Sequence, residues 1–434
     1  MSVGGVLVTV TSVEASGNRL HAVVSAGATV GKLDVTVKNP GQSEVSCAGC
    51  YEATAPVLVH GLVSGLLLHP GRKVVFDADT ALVGYDGVAD VTQCDAGEPG
   101  CLRVEAAKIV VAAGVAVDGA GKGWGGGGGG GGAVGRVDSG CSAQPKGTCQ
   151  GGGTTGSGGL GVAGGSRGLD GYCAEDCCGV GDDHCSRGGK GGAGGGIAGG
   201  AGGASGLTKS QISTYGTAGA SGGDGQYATL PDQSTDNAVT IGSAGGGGGG
   251  GAGNPVDRYC DSASGAGGGG AGSRGGGKIE LVASQAIEVR GALRTAGASI
   301  GGNGGEGQSA CPISSSQNDG SANGGTGGSA DVAGSQLGGG GGGSCNSSFE
   351  CNGSVSYGSG PWVAWPGGAG GRGGTGSGGG VLVQSPSVVI SGTIDARDGS
   401  GSTARGGTVK IFYQGQAPST ANVAAQRVWS AVEP

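Results

Sequence analysis

Two stretches of this chain, Gly125 to Gly132 and Gly245 to Gly251, are uninterrupted glycine. Such a run has no side chain to bury and favours neither helix nor strand, so a hydrophobic core cannot organise it. Each ordered glycine costs about 0.5–1 kcal/mol more than an alanine. A hydrogen bond for every peptide can offset that, at about 0.5–1.5 kcal/mol net each. An extended helix with three residues per turn points its N–H and C=O groups outward. Without Cβ atoms, such helices approach closely and bond to one another laterally. The tracts are therefore expected to pack as a bundle of polyglycine II helices. Collagen demands glycine strictly at every third position, and the uninterrupted runs break that period.

Glycine supplies 115 of 434 residues, a composition that by default reads as disorder. Against that default, only 13 residues are proline and only 13% are charged, less than disordered linkers carry. Large apolar residues gather at the two ends and in one short island, between glycine-rich stretches with little to bury.

Residues 1–53 alternate with period two, as in Val6, Val8 and Val10, then Leu33, Val35 and Val37 ahead of an Asn39-Pro40-Gly41 turn. Residues 54–119 hold short apolar segments such as Leu66-Leu-Leu68, Lys73-Val-Val-Phe76 and Lys108-Ile-Val-Val111, set apart by turn residues. After each glycine stretch the chain re-enters strand sequence in the same way. The three cases are Gly275-Gly-Gly-Lys-Ile-Glu-Leu-Val282, Gly378-Gly-Gly-Val-Leu-Val383 and Gly406-Gly-Thr-Val-Lys-Ile411. A second strand and turn follow twice, at Ile287 to Leu293 and Val389 to Ile394. Short strands returning with insertions at one corner predict a parallel β-helix carrying loop excursions. The expected fold is all-β. It comprises an antiparallel segment at 1–53, rungs at 54–119, an excursion at 120–277, a rung at 278–300, a second excursion at 301–380, and rungs with a C-terminal cap at 381–434.

The stretch from Gly31 to Ser43, leading into Cys47-Ala-Gly-Cys50, resembles the last strands of bacterial IPT/TIG immunoglobulin-like domains over about 50 residues. The usual first strand is absent, which points to an incomplete domain or an upstream truncation. That resemblance implies an Ig-like spacer without chemistry of its own. The rungs and excursions resemble secreted glycine-rich β-helix proteins of bacteria, and the excursions are similar to the glycine-helix tip of phage tail-fibre adhesins. Both resemblances imply an exterior protein.

The chain has 14 cysteines. Cys47/Cys50, Cys94/Cys101, Cys141/Cys149 and Cys345/Cys351 are close in sequence, Cys173, Cys177, Cys178 and Cys185 cluster, and Cys260 and Cys311 stand alone. An even set closing short loops reads as disulfide staples in an oxidising compartment, with connectivity left open. Asp176, Asp182, Asp183 and His184 lie near the cluster, but adjacent Cys177 and Cys178 do not fit zinc spacing. Cys47-Ala-Gly-Cys50 has the spacing of a redox pair but lacks a following helix to activate a thiolate. No leader is visible at Met1, so either upstream sequence is missing or the chain leaves the cell as a virion protein does. The run Val57 to Leu68 is too short to span a bilayer. A net charge of −8 without a basic patch excludes nucleic acid as a partner.

Gly164-Gly-Ser166-Arg-Gly168 and Gly219-Ala-Ser221-Gly-Gly223 match the hydrolase nucleophile elbow, yet such matches are expected by chance in this composition. The surrounding strand and helix are missing, and no catalytic or cofactor-binding residue is assigned. Gly222 to Tyr227, around Asp224, matches a calcium-binding repeat once, without its array. Calcium is the only cofactor that stretch suggests, and Asp224, Asp395 and Asp398 otherwise read as turn residues. Asn346 and Asn352 begin glycosylation sequons. Tyr357, Trp362 and Trp365 are either a packed plug or an exposed contact platform. Trp124 is expected to anchor the root of the first glycine run.

Together these features describe a non-enzymatic structural subunit of an extracellular fibre, sheath or surface assembly, self-associating into a homopolymer through glycine faces or uncovered β-helix ends. The alternative is an adhesin or tail-fibre tip that binds a surface glycan or protein through loops such as Asp170 to Arg187 and Pro231 to Thr240. Ice binding would need a regular flat face, which the irregular Ala, Ser and Thr spacing does not provide.

Overall fold

In the segment Lys278 to Val282, Ile279 and Leu281 alternate with Lys278 and Glu280, and that alternation recurs wherever the chain returns from glycine. In the computed structural model these returns stack. The structure describes residues 1–3, 5–13, 20–23, 31–38, 43–87, 94–132, 134–135, 161, 164–170, 172–173, 186–187, 190–196, 199–205, 207–208, 220–222, 237–250, 261–265, 268–298, 301–305, 311–313, 326–329 and 369–432. Among them the regular structure is all β, and its centre is a nearly closed parallel sheet.

The sheet winds around three faces. On the first face lie 65–69, 101–106, 278–283, Val381–Gln384, Thr408–Tyr413 and Arg427–Val432, each parallel to the next. On the second lie 57–59, 73–76, 108–111, 286–289 and Ser387–Ile390. On the third lie 61–63, 80–82, Ala116–Asp118, Ala292–Arg294, Thr393–Asp395 and Val423–Ala424. The chain visits the faces in that order in every full coil, which gives a β-helix-like winding.

Register aligns the inward side chains into apolar columns. Leu102, Ile279, Val381 and Val409 stack on the first face, as do Val104, Leu281, Val383 and Ile411. Val74, Ile109, Ile287 and Val388 stack on the second, and Val117, Leu293 and Ile394 on the third. All of these are fully or almost fully buried and form one continuous core. A slip of one residue would turn a whole strand's apolar set outward, so the alternation also fixes the register.

The four longest insertions leave from one corner. Each departs after a third-face strand and returns to a first-face strand: Leu82 to Cys101, Asp118 to Lys278, Arg294 to Val381, and Asp395 to Thr408. The recurrent glycines of the sequence sit at this corner, stacked on one another. A Cβ on Gly276 would overlap the Thr295 carbonyl, one on Gly379 the Gly277 carbonyl, and one on Gly407 the Gly379 carbonyl. The repeated entry sequence is thus a steric requirement of packing one coil on the next.

Residues 1–53 form antiparallel pairs. Ser2–Val3 lies between Val6–Leu7 and Gly31–Val37, and Gly31–Val37 pairs with Val45–Ala53. Thr9–Val13 pairs with Leu20–Val23. The Asn39-Pro40-Gly41 turn lies outside the described residues.

Outward side chains tie the coils electrostatically. Lys108 meets Glu288 at 2.5 Å and Arg103 reaches Glu280 at 3.1 Å across adjacent coils, while Arg397 pairs with Asp395 at 2.6 Å within one coil. The Lys108 hydrogen bond holds the Glu288 carboxyl below its ordinary value, and the Arg397 hydrogen bond does the same for Asp395. A lowered folded value means stability that is fully present above the ordinary values of 4.5 and 3.8 and is lost as pH falls through the lowered ones. Denaturant midpoints measured from pH 6 downward should therefore fall in acid, and fall less steeply in a Glu288→Gln/Asp395→Asn variant. In the core, Leu281→Ala should cost about 2–5 kcal/mol in the same assay, whereas Val389→Ala, at a side chain 51% exposed, should stay within about 0.5 kcal/mol.

Candidate assembly surface

Where the excursions are described, their tracts are joined mainly by backbone hydrogen bonds. The tract 242–250 shows the pattern most completely. The N–H groups of Gly242, Gly245 and Gly248 donate to the carbonyls of Gly276, Ser273 and Gly270 at 2.7, 2.9 and 2.8 Å. Those of Ala244 and Gly247 donate to Gly195 and Gly192 at 2.9 and 2.8 Å, and that of Gly249 donates to Ala220 at 2.9 Å. The carbonyls follow the same rhythm. Gly242, Gly245 and Gly248 accept from Trp124, Gly127 and Gly130, while Ser243, Gly246 and Gly249 accept from Ser377, Gly374 and Gly371. Ala244 and Gly247 accept from Gly200 and Gly203. Every third residue therefore addresses the same neighbour, and the tract is surrounded by neighbours on all sides.

Side chains are excluded on the same three-residue beat. A Cβ on Gly245 or Gly248 would overlap the carbonyls of Gly374 or Gly371. On Gly246 or Gly249 it would overlap those of Ala201 or Ala204, and on Gly247 or Gly250 those of Gly128 or Gly131. None of these glycines has a positive φ. What requires glycine here is the close approach of backbones, not a left-handed conformation.

The root of the assembly is a small cluster of large side chains. Trp124 packs edge-on against Tyr85, with ring centroids 4.7 Å apart and planes at 70°. Gly164 and Gly196 turn with positive φ against the Trp124 ring, where a Cβ would strike the indole. The buried Arg274 donates from Nη2 to the carbonyls of Tyr85 and Gly123 at 2.6 and 3.0 Å. Its guanidinium therefore bridges the end of the second coil and the start of the first glycine run. Sequence reading singled out Trp124 but passed over Arg274, which stands between serine and glycine without an apolar neighbour as a cue.

The segment 237–241 lies against the outer side of the first face. Val239 packs on Leu382 and Phe412, and Asn237 donates to Gln384 Oε1 at 2.9 Å. Part of the expected recognition loop Pro231 to Thr240 is therefore inward-facing. Leu382 and Phe412 point out of the coil and need an apolar cover, which Val239 supplies. Residues 231–236 lie outside the described residues.

The other predicted site residues divide as follows. Cys47 is disulfide-bonded to Cys50, and Cys94 to Cys101, with Cα atoms 5.6 and 5.9 Å apart. Cys173 lies in the short strand Tyr172–Cys173, which pairs with Ser186–Arg187, and Cys311 begins Cys311–Ile313, which pairs with Asp261–Gly265. Cys141, Cys149, Cys177, Cys178, Cys185, Cys260, Cys345 and Cys351 lie outside the described residues, as do Tyr357, Trp362, Trp365, Asp224, Asn346 and Asn352. Asp395 ends a third-face strand. Asp398 organises the following turn, accepting from the N–H groups of Ser400 and Ser402 at 2.9 and 2.8 Å and facing Arg405 at 3.0 Å. Ser166 of the elbow-like motif lies in an extended tract, its N–H bonded to Ala193 and its carbonyl to Gly128. Among the described residues no group of three or more His, Cys, Asp or Glu is placed to hold a metal ion. No helix among them is long and apolar enough to cross a membrane.

No protein family, curated protein or solved structure matches the chain.

The steric pattern is directly testable. Gly247→Ala places a methyl against the Gly128 carbonyl and should cost about 1–3 kcal/mol in urea unfolding. Leu169→Ala, at a side chain 58% exposed, should be close to neutral.

Proposed function

We propose that this chain is a non-enzymatic structural subunit of an extracellular or cell-surface assembly, in which a β-helix-like spine carries a bundle of polyglycine II helices. The observation that carries the reading is the three-residue hydrogen-bonding beat of the tract 242–250. A helix with three residues per turn sends successive peptides in three directions about 120° apart, which matches that beat. Such a bundle is rigid, lacks reactive side chains, and presents rows of peptide groups to any further tract that approaches. Lateral self-association through these rows gives a homopolymer.

The two disulfides support an oxidising exterior setting. The antiparallel strands of residues 1–53 suit an Ig-like spacer of the IPT/TIG kind, and the coil with its excursions suits kinship with secreted glycine-rich β-helix proteins. Neither element brings catalytic machinery.

Negative-stain imaging of the purified full chain, together with non-reducing peptide mapping, tests the proposal. Fibres or sheets, with the remaining cysteines paired, are the expected result. Isolated knobs that bind immobilised glycans, or free thiols throughout, would replace this reading with an adhesive or intracellular one.

A further inference from the structure

The two ends of the coiled sheet are not equivalent on its first face. At the N-terminal end the open edge of 65–69 is blocked by the chain itself. Gly65 forms an antiparallel bridge with Ala96, and the Leu66 N–H donates to the Asp95 carbonyl at 3.0 Å. The Cys94–Cys101 disulfide closes the loop that holds this plug in place. Blocking of this kind is how sheet proteins prevent edge-to-edge addition.

At the opposite end no such device is present among the described residues. The strand Arg427–Val432 pairs in parallel with Thr408–Tyr413 and with no other described strand. Its inward-facing residues extend the core columns into the open. Val428 continues the column of Leu102, Ile279, Val381 and Val409, each 0% exposed, yet is itself 39% exposed. Val432, opposite Tyr413, is 61% exposed. Among the described residues, no further strand pairs with this edge, and it lies beside an exposed apolar surface.

We propose that Arg427–Val432 is a two-fold interface at which a second copy of this chain adds the same strand, antiparallel, to the first face. Blocking of the far end disfavours head-to-tail stacking, since that would need the edge at 65–69. A self-pairing contact needs only the open end. The strand's sequence fits that symmetry. With Ser430 on the two-fold axis, Val428 faces Val432 of the second copy on the inner side, and Trp429 faces Ala431 on the outer side. Every pair among residues 428–432 is then apolar with apolar or hydroxyl with hydroxyl. This contact goes beyond the lateral glycine association and does not depend on it. Where both operate, a closed two-fold contact and a lateral one together propagate an open assembly.

Sedimentation equilibrium of the full chain, across about 1–100 μM, provides the test. The expected result is reversible self-association that begins with a dimer, whose dissociation constant rises at least tenfold in Val428→Lys and in Val432→Lys. Under mild oxidation, Ser430→Cys should cross-link to dimer much faster than Ser419→Cys, an exposed position off the strand. A chain that stays monomeric at the highest concentration overturns the interface, as does equal cross-linking at the two cysteines. Self-association indifferent to Val432→Lys also overturns it, while leaving the lateral, structural reading intact.

Discussion

The structure depends on one interaction, the N–H to C=O hydrogen bond between extended backbones that carry no side chains. A conventional core removes apolar area from water, and here that mechanism is confined to the coiled sheet. Beyond the sheet, Gly245 to Gly250 have nothing apolar to contribute, and their order is bought with peptide pairing alone. Burial makes that pairing obligatory. The tract 239–250 is shielded from solvent throughout, so a peptide that lost its partner would find no water to replace it.

The two kinds of order are mechanically joined. The coil returns the chain to the same corner after each excursion, so tracts far apart in sequence are delivered side by side. Gly242 pairs with Gly276 and Trp124 with Gly242 because Asp118, Lys278 and Val381 already lie on adjacent rungs. In return the excursions cover the coil. Val239 shields Leu382 and Phe412, and Arg274 fixes the carbonyls of Tyr85 and Gly123. Loop closure over some 160 residues is tolerable because its entropic cost rises only logarithmically with length. The Trp124 and Arg274 root then sets the direction in which the first glycine run leaves the coil.

Much of the sheet was legible in the sequence, because period-two alternation at Lys278 to Val282 and Val381 to Val383 specifies both strand and facing. The repeated glycines before those strands marked the common corner. Sequence gave no access to the partners of the glycine tracts, since identical residues carry no register information; only the coil decides that Gly247 meets Gly192. The Val239 cover was hidden for a related reason. Val239 and Ile241, flanked by Asn237, Thr240 and Gly242, read as loop residues until the outward-facing Leu382 and Phe412 are placed beneath Val239. Likewise, the blocking of the 65–69 edge by Asp95 and Ala96 is a tertiary return that no local pattern announces.

Amide hydrogen exchange resolved along the chain measures the central interaction most directly. If peptide pairing orders the glycine tracts, the amides of 242–249 and 269–276 should exchange as slowly as those of the core strand Lys278–Val289, through global rather than local opening. Exchange of those tracts at the rate of an unstructured glycine peptide, while the core strand stays protected, would contradict the account.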